Sequence, residues 1–231
     1  TWGPDGRLYW SIGDRGYNVV NREGVRIKDP TSGAVFRCEP DGSNLEVFHT
    51  GLRNPQELAY DEYGNWFIVD NDGDFGDRER FHYLLEGTDT GWRATWQYRS
   101  NRKFAEHGGY NPWMADGLWK PHFDGQPAYL TPAISNYSDG PCGFAYNPGT
   151  ALNEKYRRHF FVTEFPGKNV RAFRTEPDGA GFKMVGEHVA HHGTMTTGIN
   201  FGADGALYEL PGDPETPITP KLKNFRNIPG I

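Results

Sequence analysis

A tight turn followed by an aromatic-rich strand recurs along this sequence and predicts an all-β fold, a β-propeller of four-stranded antiparallel blades. Two further observations favour the same class. A second unit, a Pro-Asp-Gly turn between two alternating segments, also repeats, and the composition combines 15% aromatic residues with 30 Gly and 17 Pro. Short strands joined by tight turns use these residue types, because aromatic side chains suit a pleated sheet and Gly and Pro suit turns.

The first unit opens with a turn that contains Gly and Asp or Asn and continues into the strand. Its four copies lie at residues 3–9, 61–69, 147–162 and 202–208. One aromatic residue of each strand aligns the copies at intervals of 58, 94 and 47 residues: Tyr9, Phe67, Phe161 and Tyr208. Propeller blades repeat at about 40–50 residues, so we predict about four blades of a ring of roughly six. The 58-residue interval then contains a modest insertion.

The second unit occurs at residues 39–48 and again at residues 176–185. In each copy Pro fixes φ, Asp accepts hydrogen bonds from nearby backbone, and Gly adopts a positive φ. Alternating segments flank both turns, so each copy is predicted to be a β-hairpin.

The domain organisation follows from where the repeats stop. Residues 1–210 are predicted to form a partial propeller domain, and residues 211–231 a linker or C-terminal extension. Residues 92–138, which fill much of the longest interval, are predicted to be an inserted loop over the binding face. Its aromatic residues suit either carbohydrate stacking or buried anchoring of the loop. They are Trp92, Trp96, Tyr98, Tyr110, Trp113 and Trp119.

Charge and hydropathy exclude two classes of partner. The formal net charge is −6 and no basic stripe is present, which argues against nucleic acid binding. No apolar run approaches the roughly 18 residues of a membrane span.

The two cysteines, Cys38 and Cys142, lack metal-ligand spacing, and the sequence leaves open whether they form a disulfide.

An acidic loop follows the second predicted strand and carries five carboxylates within residues 70–79. Such charges repel one another unless a cation neutralises them, and oxygen ligands on a Gly-containing loop suit calcium. The predicted metal ligands are Asp70, Asn71, Asp72, Asp74 and Asp77. The alternative is a solvated turn in which Asp77–Arg78 and Glu79–Arg80 compensate each other's charge.

Arg53 and Asn54 precede Pro55 at the entrance of a predicted strand. A planar cation and an amide held before a rigid residue would present donors to an anionic ligand. Alternatively, Arg53 pairs with an acidic neighbour.

Several motifs in this order resemble the soluble quinoprotein glucose dehydrogenases. They are Ile-Gly-Asp at residues 12–14, Gly-Leu-Arg-Asn-Pro-Gln at 51–56, Gly-Asp at 76–77 and Gly-Thr-Asp-Thr-Gly-Trp at 87–92. The chain is still more similar to glucose/sorbosone dehydrogenase-like relatives known as membrane-bound dehydrogenases of planctomycete type, which share a Gly-Pro-x-Gly-Phe strand, here residues 140–144. The resemblance extends from Trp2 to about Leu210.

The resemblance implies a set of roles. Arg53 and Asn54 would contact the carboxylates of pyrroloquinoline quinone, and the loop at residues 70–77 would bind the calcium that polarises the quinone. Asp14 would orient a histidine general base, which takes the sugar hydroxyl proton as hydride passes to the quinone. That histidine is expected just before Thr1, outside this chain, and His191 and His192, in a predicted loop, are the alternative. Further cofactor-binding arginines of the family are replaced by Thr-Thr-Gly at residues 196–198.

Three functions are consistent with these features. The first is a sugar dehydrogenase for an aldose or related alcohol, which passes hydride to the quinone with calcium assistance. The second is a metal-dependent sugar or lactone hydrolase or lyase. The third is a non-catalytic carbohydrate- or protein-binding propeller with a structural calcium. The resemblance also implies a periplasmic or extracellular location and a haem electron-acceptor domain outside this chain.

Overall fold

The computed structural model describes residues 1–73, 78–94, 116–117, 121–126, 130–137, 139–149, 151–192, 195–212 and 223–224. Seventeen strands form in this part of the chain. In chain order they are β1 (Leu8–Ile12), β2 (Tyr17–Val20), β3 (Arg26–Asp29), β4 (Gly33–Cys38), β5 (Glu46–Leu52), β6 (Pro55–Tyr60), β7 (Trp66–Asp70), β8 (Glu79–Leu84), β9 (Thr88–Asp89), β10 (Ser135–Tyr137), β11 (Pro141–Tyr146), β12 (Phe160–Glu164), β13 (Asn169–Asp178), β14 (Gly181–His192), β15 (Thr196–Phe201), β16 (Leu207–Pro211) and β17 (Lys223–Asn224).

Four sheets form successive blades, which confirms the predicted class. Blade 2 has the order β10-β8-β7-β6 and blade 3 the order β11-β12-β13-β14, and every pair in both is antiparallel. Blade 1 has the order β1-β4-β5-β9, and blade 4 contains β15, β16 and β17. The first strands of blades 2, 3 and 4, namely β6, β11 and β15, lie side by side along the inner side of the array.

Three details differ from the expectation. In blade 1, β9 pairs with β5 in parallel, because residues 88–89 arrive from blade 2 and add to the outer edge of its neighbour. Residues 135–137 of the predicted inserted loop form β10, the fourth strand of blade 2. Residues 223–224 of the C-terminal segment form β17, which pairs with β16. The hairpin β2–β3 is inserted along the chain between the paired strands β1 and β4, and it accounts for the long first interval.

The repeated turn has the same hydrogen bonds in different blades. Tyr9 donates its hydroxyl to Asp5 at 2.8 Å, and Tyr208 donates to Asp204 at 3.0 Å. A Cβ on the glycine two residues before either aspartate would lie about 2.5 Å from the tyrosine ring, so only glycine fits there. The sequence repeat therefore reflects the same packing of a glycine and an aspartate against a tyrosine in both turns.

The core lies between the blades. Successive residues of a strand point to opposite faces, so β7 sends Trp66 and Ile68 toward blade 1 and Phe67 toward blade 3. Between blades 2 and 3 the buried set is mainly aromatic: Phe67, Phe81, Phe144, Phe160 and Phe173. Each fully buried Phe contributes about 1.5–3 kcal/mol, so these aromatics supply much of the attraction between the blades.

Two buried histidines, His49 of blade 1 and His82 of blade 2, lie where these two blades meet. Nδ1 of His49 lies 3.0 Å from the Thr88 hydroxyl and 3.4 Å from the Leu85 carbonyl. Neither ring nitrogen of His82 has a hydrogen-bond partner in the described part of the chain. Burial lowers the pKa of His49 to about 4 and the pKa of His82 well below its usual range. Both rings are therefore neutral at pH 7.

Both cysteines, Cys38 and Cys142, are free. Within the described residues, no helix has the length and apolar character needed to cross a membrane.

Candidate functional site

The predicted site residues that the structure describes meet at one edge of neighbouring blades. Asp14 follows β1, Arg53 and Asn54 precede β6, and Asp70 is the last residue of β7, followed by Asn71. Residue 55 of β6 pairs with Asp70 of β7, so the Arg-Asn pair lies directly beyond the buried end of the second strand. Sequence positions 14, 53, 54, 70 and 71 thus form one cluster.

Asp70 is the centre of this cluster. Its side chain is 0% exposed and Arg80 on β8 is 1% exposed, and Arg80 Nη2 donates to Asp70 Oδ2 at 2.5 Å. The backbone amide of Arg53 donates to Oδ2 at 3.0 Å, and that of Asn54 donates to Oδ1 at 2.8 Å. Burial raises the pKa of Asp70, whereas Arg80 and the two amides act in the opposite direction. One carboxylate therefore ties the Arg-Asn loop to the blade.

Asp14 joins the cluster from blade 1. Its amide donates to the Arg53 carbonyl at 2.6 Å, and its Oδ2 lies 4.0 Å from Arg53 Nε. The Asp14 and Arg53 side chains are mostly buried, at 16% and 17% exposure. A Cβ on Gly13 would lie 3.2 Å from the Asn54 side-chain oxygen, so the glycine lets the two loops approach closely. Arg53 thus has an acidic neighbour as well as a position facing the cluster.

Asn71 extends the cluster to blade 3. Asn54 Nδ2 lies 3.5 Å from Asn71 Oδ1, and Asn71 Nδ2 donates to the Pro141 carbonyl at 3.0 Å. Loops of three consecutive blades are therefore connected by side-chain or backbone hydrogen bonds.

The predicted calcium ligands divide into two groups. Asp70, Asn71 and Asp72 belong to the described chain, whereas Asp74 and Asp77 lie outside it. In the described part, no three His, Cys, Asp or Glu side chains cluster closely enough to hold a metal ion. An ion at Asp70 would compete with Arg80 and two amides for its oxygens. The calcium assignment therefore stays a prediction.

The alternative in which Arg80 compensates Glu79 is wrong. Arg80 crosses to Asp70 on the neighbouring strand, where the two residues are opposite each other in the β7–β8 register. Reasoning along the sequence missed this partner because adjacent residues of a strand point to opposite faces. The signal in the sequence was the spacing of the β7–β8 hairpin, which places residue 80 opposite residue 70.

The Gly-Thr-Asp-Thr-Gly-Trp motif packs beside the cluster. Asp89 accepts from the Gly91 amide at 2.7 Å and pairs with Arg93 at 2.5 Å. Gly51 has φ of +86°, and a Cβ there would lie 2.1 Å from Asp89 Oδ1. The Trp92 amide donates to the Gly51 carbonyl at 2.9 Å, and the Trp92 side chain is buried. The motif fixes the strand that leads into the Arg-Asn pair.

Two other sequence candidates have different outcomes. His191 and His192 lie on β14, the outermost strand of blade 3, and the prediction of a loop there is wrong. His192 Nδ1 lies 2.9 Å from the Asn169 side-chain oxygen. The other aromatic residues of the inserted loop, Trp96, Tyr98, Tyr110, Trp113 and Trp119, lie outside the described residues.

A cavity of about 600 Å³ opens along the inner strands. It begins at Gln56 and Glu57, and it does not include Asp14, Arg53 or Asn54. Glu57 Oε2 accepts from the Phe144 amide at 2.7 Å, and burial raises the pKa of this carboxyl group. The cavity is therefore a neighbour of the cluster, two residues further along β6, and Glu57 connects blades 2 and 3 across its wall.

Comparison with known proteins places the chain in a family. A family model described as a domain of unknown function, DUF7133, matches residues 1–208. The chain belongs to the DUF7133 family. No curated protein sequence matches it significantly.

The fold of this DUF7133 chain is similar to that of solved sugar dehydrogenases. It superposes on a PQQ-bound aldose sugar dehydrogenase from Streptomyces coelicolor with a TM-score of 0.59 and 17% identity, over 96% of this chain and 58% of the other. For the soluble aldose sugar dehydrogenase of Escherichia coli the values are 0.57 and 16%, over 88% and 57%. A further glucose dehydrogenase gives 0.61 and 20%, over 90% and 58%. The chain thus spans less than two thirds of each of these proteins.

Proposed function

We propose that this DUF7133 protein is a sugar dehydrogenase that oxidises an aldose or a related alcohol and uses pyrroloquinoline quinone, assisted by calcium, as hydride acceptor. The observation that carries the proposal is the cluster of Asp14, Arg53 and Asn54 at one end of blades 1 and 2. The sequence resemblance assigns roles to these three residues, and the fold is shared with a structure that contains PQQ.

The donor chemistry of the cluster fits an anionic quinone. The Arg53 guanidinium offers several N–H donors in one plane, which match the geometry of a carboxylate. The Asn54 amide lies on the adjacent residue, and the backbone of both residues is fixed by Asp70. When bound, the quinone supplies the two-electron acceptor that the side chains of this chain lack.

In this proposal the protein side chains bind, orient and neutralise. Asp14 holds the Arg53 loop through its amide and offers a carboxylate next to the guanidinium, from which it can orient a general base. Asn71, Asp72, Asp74 and Asp77 would supply hard oxygen ligands for calcium. A calcium site of this kind suits a periplasmic or extracellular location, where weaker calcium sites are filled. We also propose that a haem domain is the partner that accepts the electrons.

The test is quinone binding followed by turnover. Purified protein is titrated with pyrroloquinoline quinone in calcium buffer, and reduction of an artificial electron acceptor is then followed with aldoses. We expect micromolar or tighter quinone binding by this chain, and sugar-dependent dye reduction when the histidine expected before Thr1 is also present. Arg53→Ala should weaken binding about 10- to 100-fold, because hydrogen bonds to charged groups contribute about 1.5–3 kcal/mol.

Arg157→Ala is the matched control, since this arginine is exposed and pairs only loosely with Glu154, at 3.8 Å. It should leave quinone affinity unchanged. Absence of quinone binding by the wild-type protein would contradict the proposal and favour a carbohydrate-binding propeller. Metal-dependent turnover of a lactone without any quinone would favour the hydrolase.

A further inference from the structure

We propose that Asp70 is a positioning residue that sets the backbone of Arg53 and Asn54 and thereby forms the anion-binding edge of the site. The identity of the ligand at that edge rests on the proposed function. The positioning itself does not, because it concerns bonds within the chain.

The first argument is the number and direction of the donors. Arg80 and the amides of Arg53 and Asn54 all donate to the two oxygens of Asp70 at 2.5–3.0 Å. The two amides belong to consecutive residues, so their peptide planes are fixed together. Because Asp70 is wholly buried, water cannot replace the carboxylate without opening the site, and three donors would be orphaned by its removal.

The second argument is a natural comparison within the molecule. Glu164 ends β12 as Asp70 ends β7, and Pro141 is opposite Glu164 as Pro55 is opposite Asp70. Glu164 is also 0% exposed and pairs with an arginine, Arg171, at 2.5 Å.

The donors to these two carboxylates differ in origin. Glu164 is bound by the side chains of Asn169 and Arg171, five and seven residues away on the following strand. Asp70 accepts from backbone amides 16 and 17 residues earlier. Blade 3 has Asp139 and Gly140 where blade 2 has Arg53 and Asn54. The long-range bonds thus occur in the blade that carries the candidate site.

The third argument concerns orientation. With its backbone fixed from the buried side, the Arg53–Asn54 pair keeps its side chains at the edge shared with Asp14 and Asn71. A preorganised loop loses less conformational freedom on binding, which improves affinity. Asp70 therefore acts through Arg53 and Asn54 and need not touch the ligand.

The experiment compares Asp70→Asn with Glu164→Gln in the same protein. Hydrogen–deuterium exchange is measured on peptides that cover residues 50–57 and residues 139–145, and pyrroloquinoline quinone affinity is measured by titration. For Asp70→Asn we expect exchange in 50–57 to accelerate at least about tenfold and quinone affinity to fall about 10- to 100-fold. Glu164→Gln should leave exchange in residues 50–57 and quinone affinity within about twofold of the wild type. We expect this even if its melting temperature falls as much as that of Asp70→Asn.

Equal exchange in residues 50–57 for the two variants would overturn the inference, whatever the protein binds. Selective acceleration in Asp70→Asn together with no quinone binding by the wild type would uphold the positioning role and overturn the proposed function instead. If Asp70→Asn does not fold, Asp70→Glu serves as the second variant. It retains the charge but displaces the oxygens by one methylene, so it should still accelerate exchange in 50–57 and not in 139–145.

Discussion

Blades 2 and 3 each bury an acidic residue at the end of the second strand and pair it with an arginine on the third. Asp70 with Arg80 and Glu164 with Arg171 have the same N–O distance of 2.5 Å. The difference is that Arg80 is 1% exposed, whereas Arg171 is 21% exposed and also contacts Glu187 at 3.2 Å.

This difference separates a contact within one hairpin from a contact with the candidate site. In blade 3 the buried acid at the end of the second strand is bound by side chains of the following strand. In blade 2 the acid also accepts two backbone amides from the loop before β6. The additional bonds couple the stability of this blade to the shape of the candidate site, which blade 3 does not do.

The largest expected effect separates the two arginines. Arg80→Met leaves the Asp70 carboxylate buried without its cation and should destabilise the protein by about 3–5 kcal/mol. Arg171→Met should cost less, about 1–2 kcal/mol, because Arg171 is 21% exposed and water can take the place of its guanidinium beside Glu164. Urea unfolding of both variants measures the difference. Equal losses would show that the blades do not differ in the way we describe.

The second prediction contrasts the two faces of blade 2 at acid pH. The side toward blade 1 contains His49 and His82, whereas the side toward blade 3 is aromatic. The folded-state pKa of His49 is about 4, below the usual 6.5. The unfolded chain therefore takes up a proton that the folded chain does not. Stability should fall as the pH decreases from about 6.5 to about 4, by up to about 3 kcal/mol for this group.

The measurement is the free energy of unfolding between pH 7 and pH 4 for the wild type and His49→Gln. The variant should have a flatter profile. His192→Gln, at an exposed histidine on β14, is the control and should retain the wild-type slope. An unchanged slope in His49→Gln would mean that the ring is protonated in the folded state.

The smallest expected effect concerns the inner strands. Blades 3 and 4 approach through bare backbone, because a Cβ on Gly143 would lie 2.5 Å from the Ile199 nitrogen. Gly143→Ala should destabilise the protein by about 1–3 kcal/mol through this overlap. Gly181→Ala, whose added Cβ would meet its nearest atom at 3.9 Å, should change stability by less than about 0.5 kcal/mol. Thermal melts of the pair test the close approach.

The sequence by itself predicted the blade repeat and the candidate residues of the site. The turns before Tyr9 and Tyr208 are local, because aspartate and glycine at fixed offsets specify them, so the sequence alone reveals them. The Ile-Gly-Asp and Arg-Asn-Pro motifs pointed to Asp14, Arg53 and Asn54, which the fold places together.

Only the tertiary structure decided how these residues are held. The sequence offers Glu79 as one alternative partner for Arg80, yet strand pairing places Arg80 opposite Asp70. The parallel strand β9, and β10 and β17 from segments outside the repeat, depend on which sheet edge lies nearby. Such contacts arise between residues far apart in the chain, whose approach costs loop entropy and is repaid only by packing of the complete array. The buried carboxylate of blade 2 gained its long-range donors in the same way.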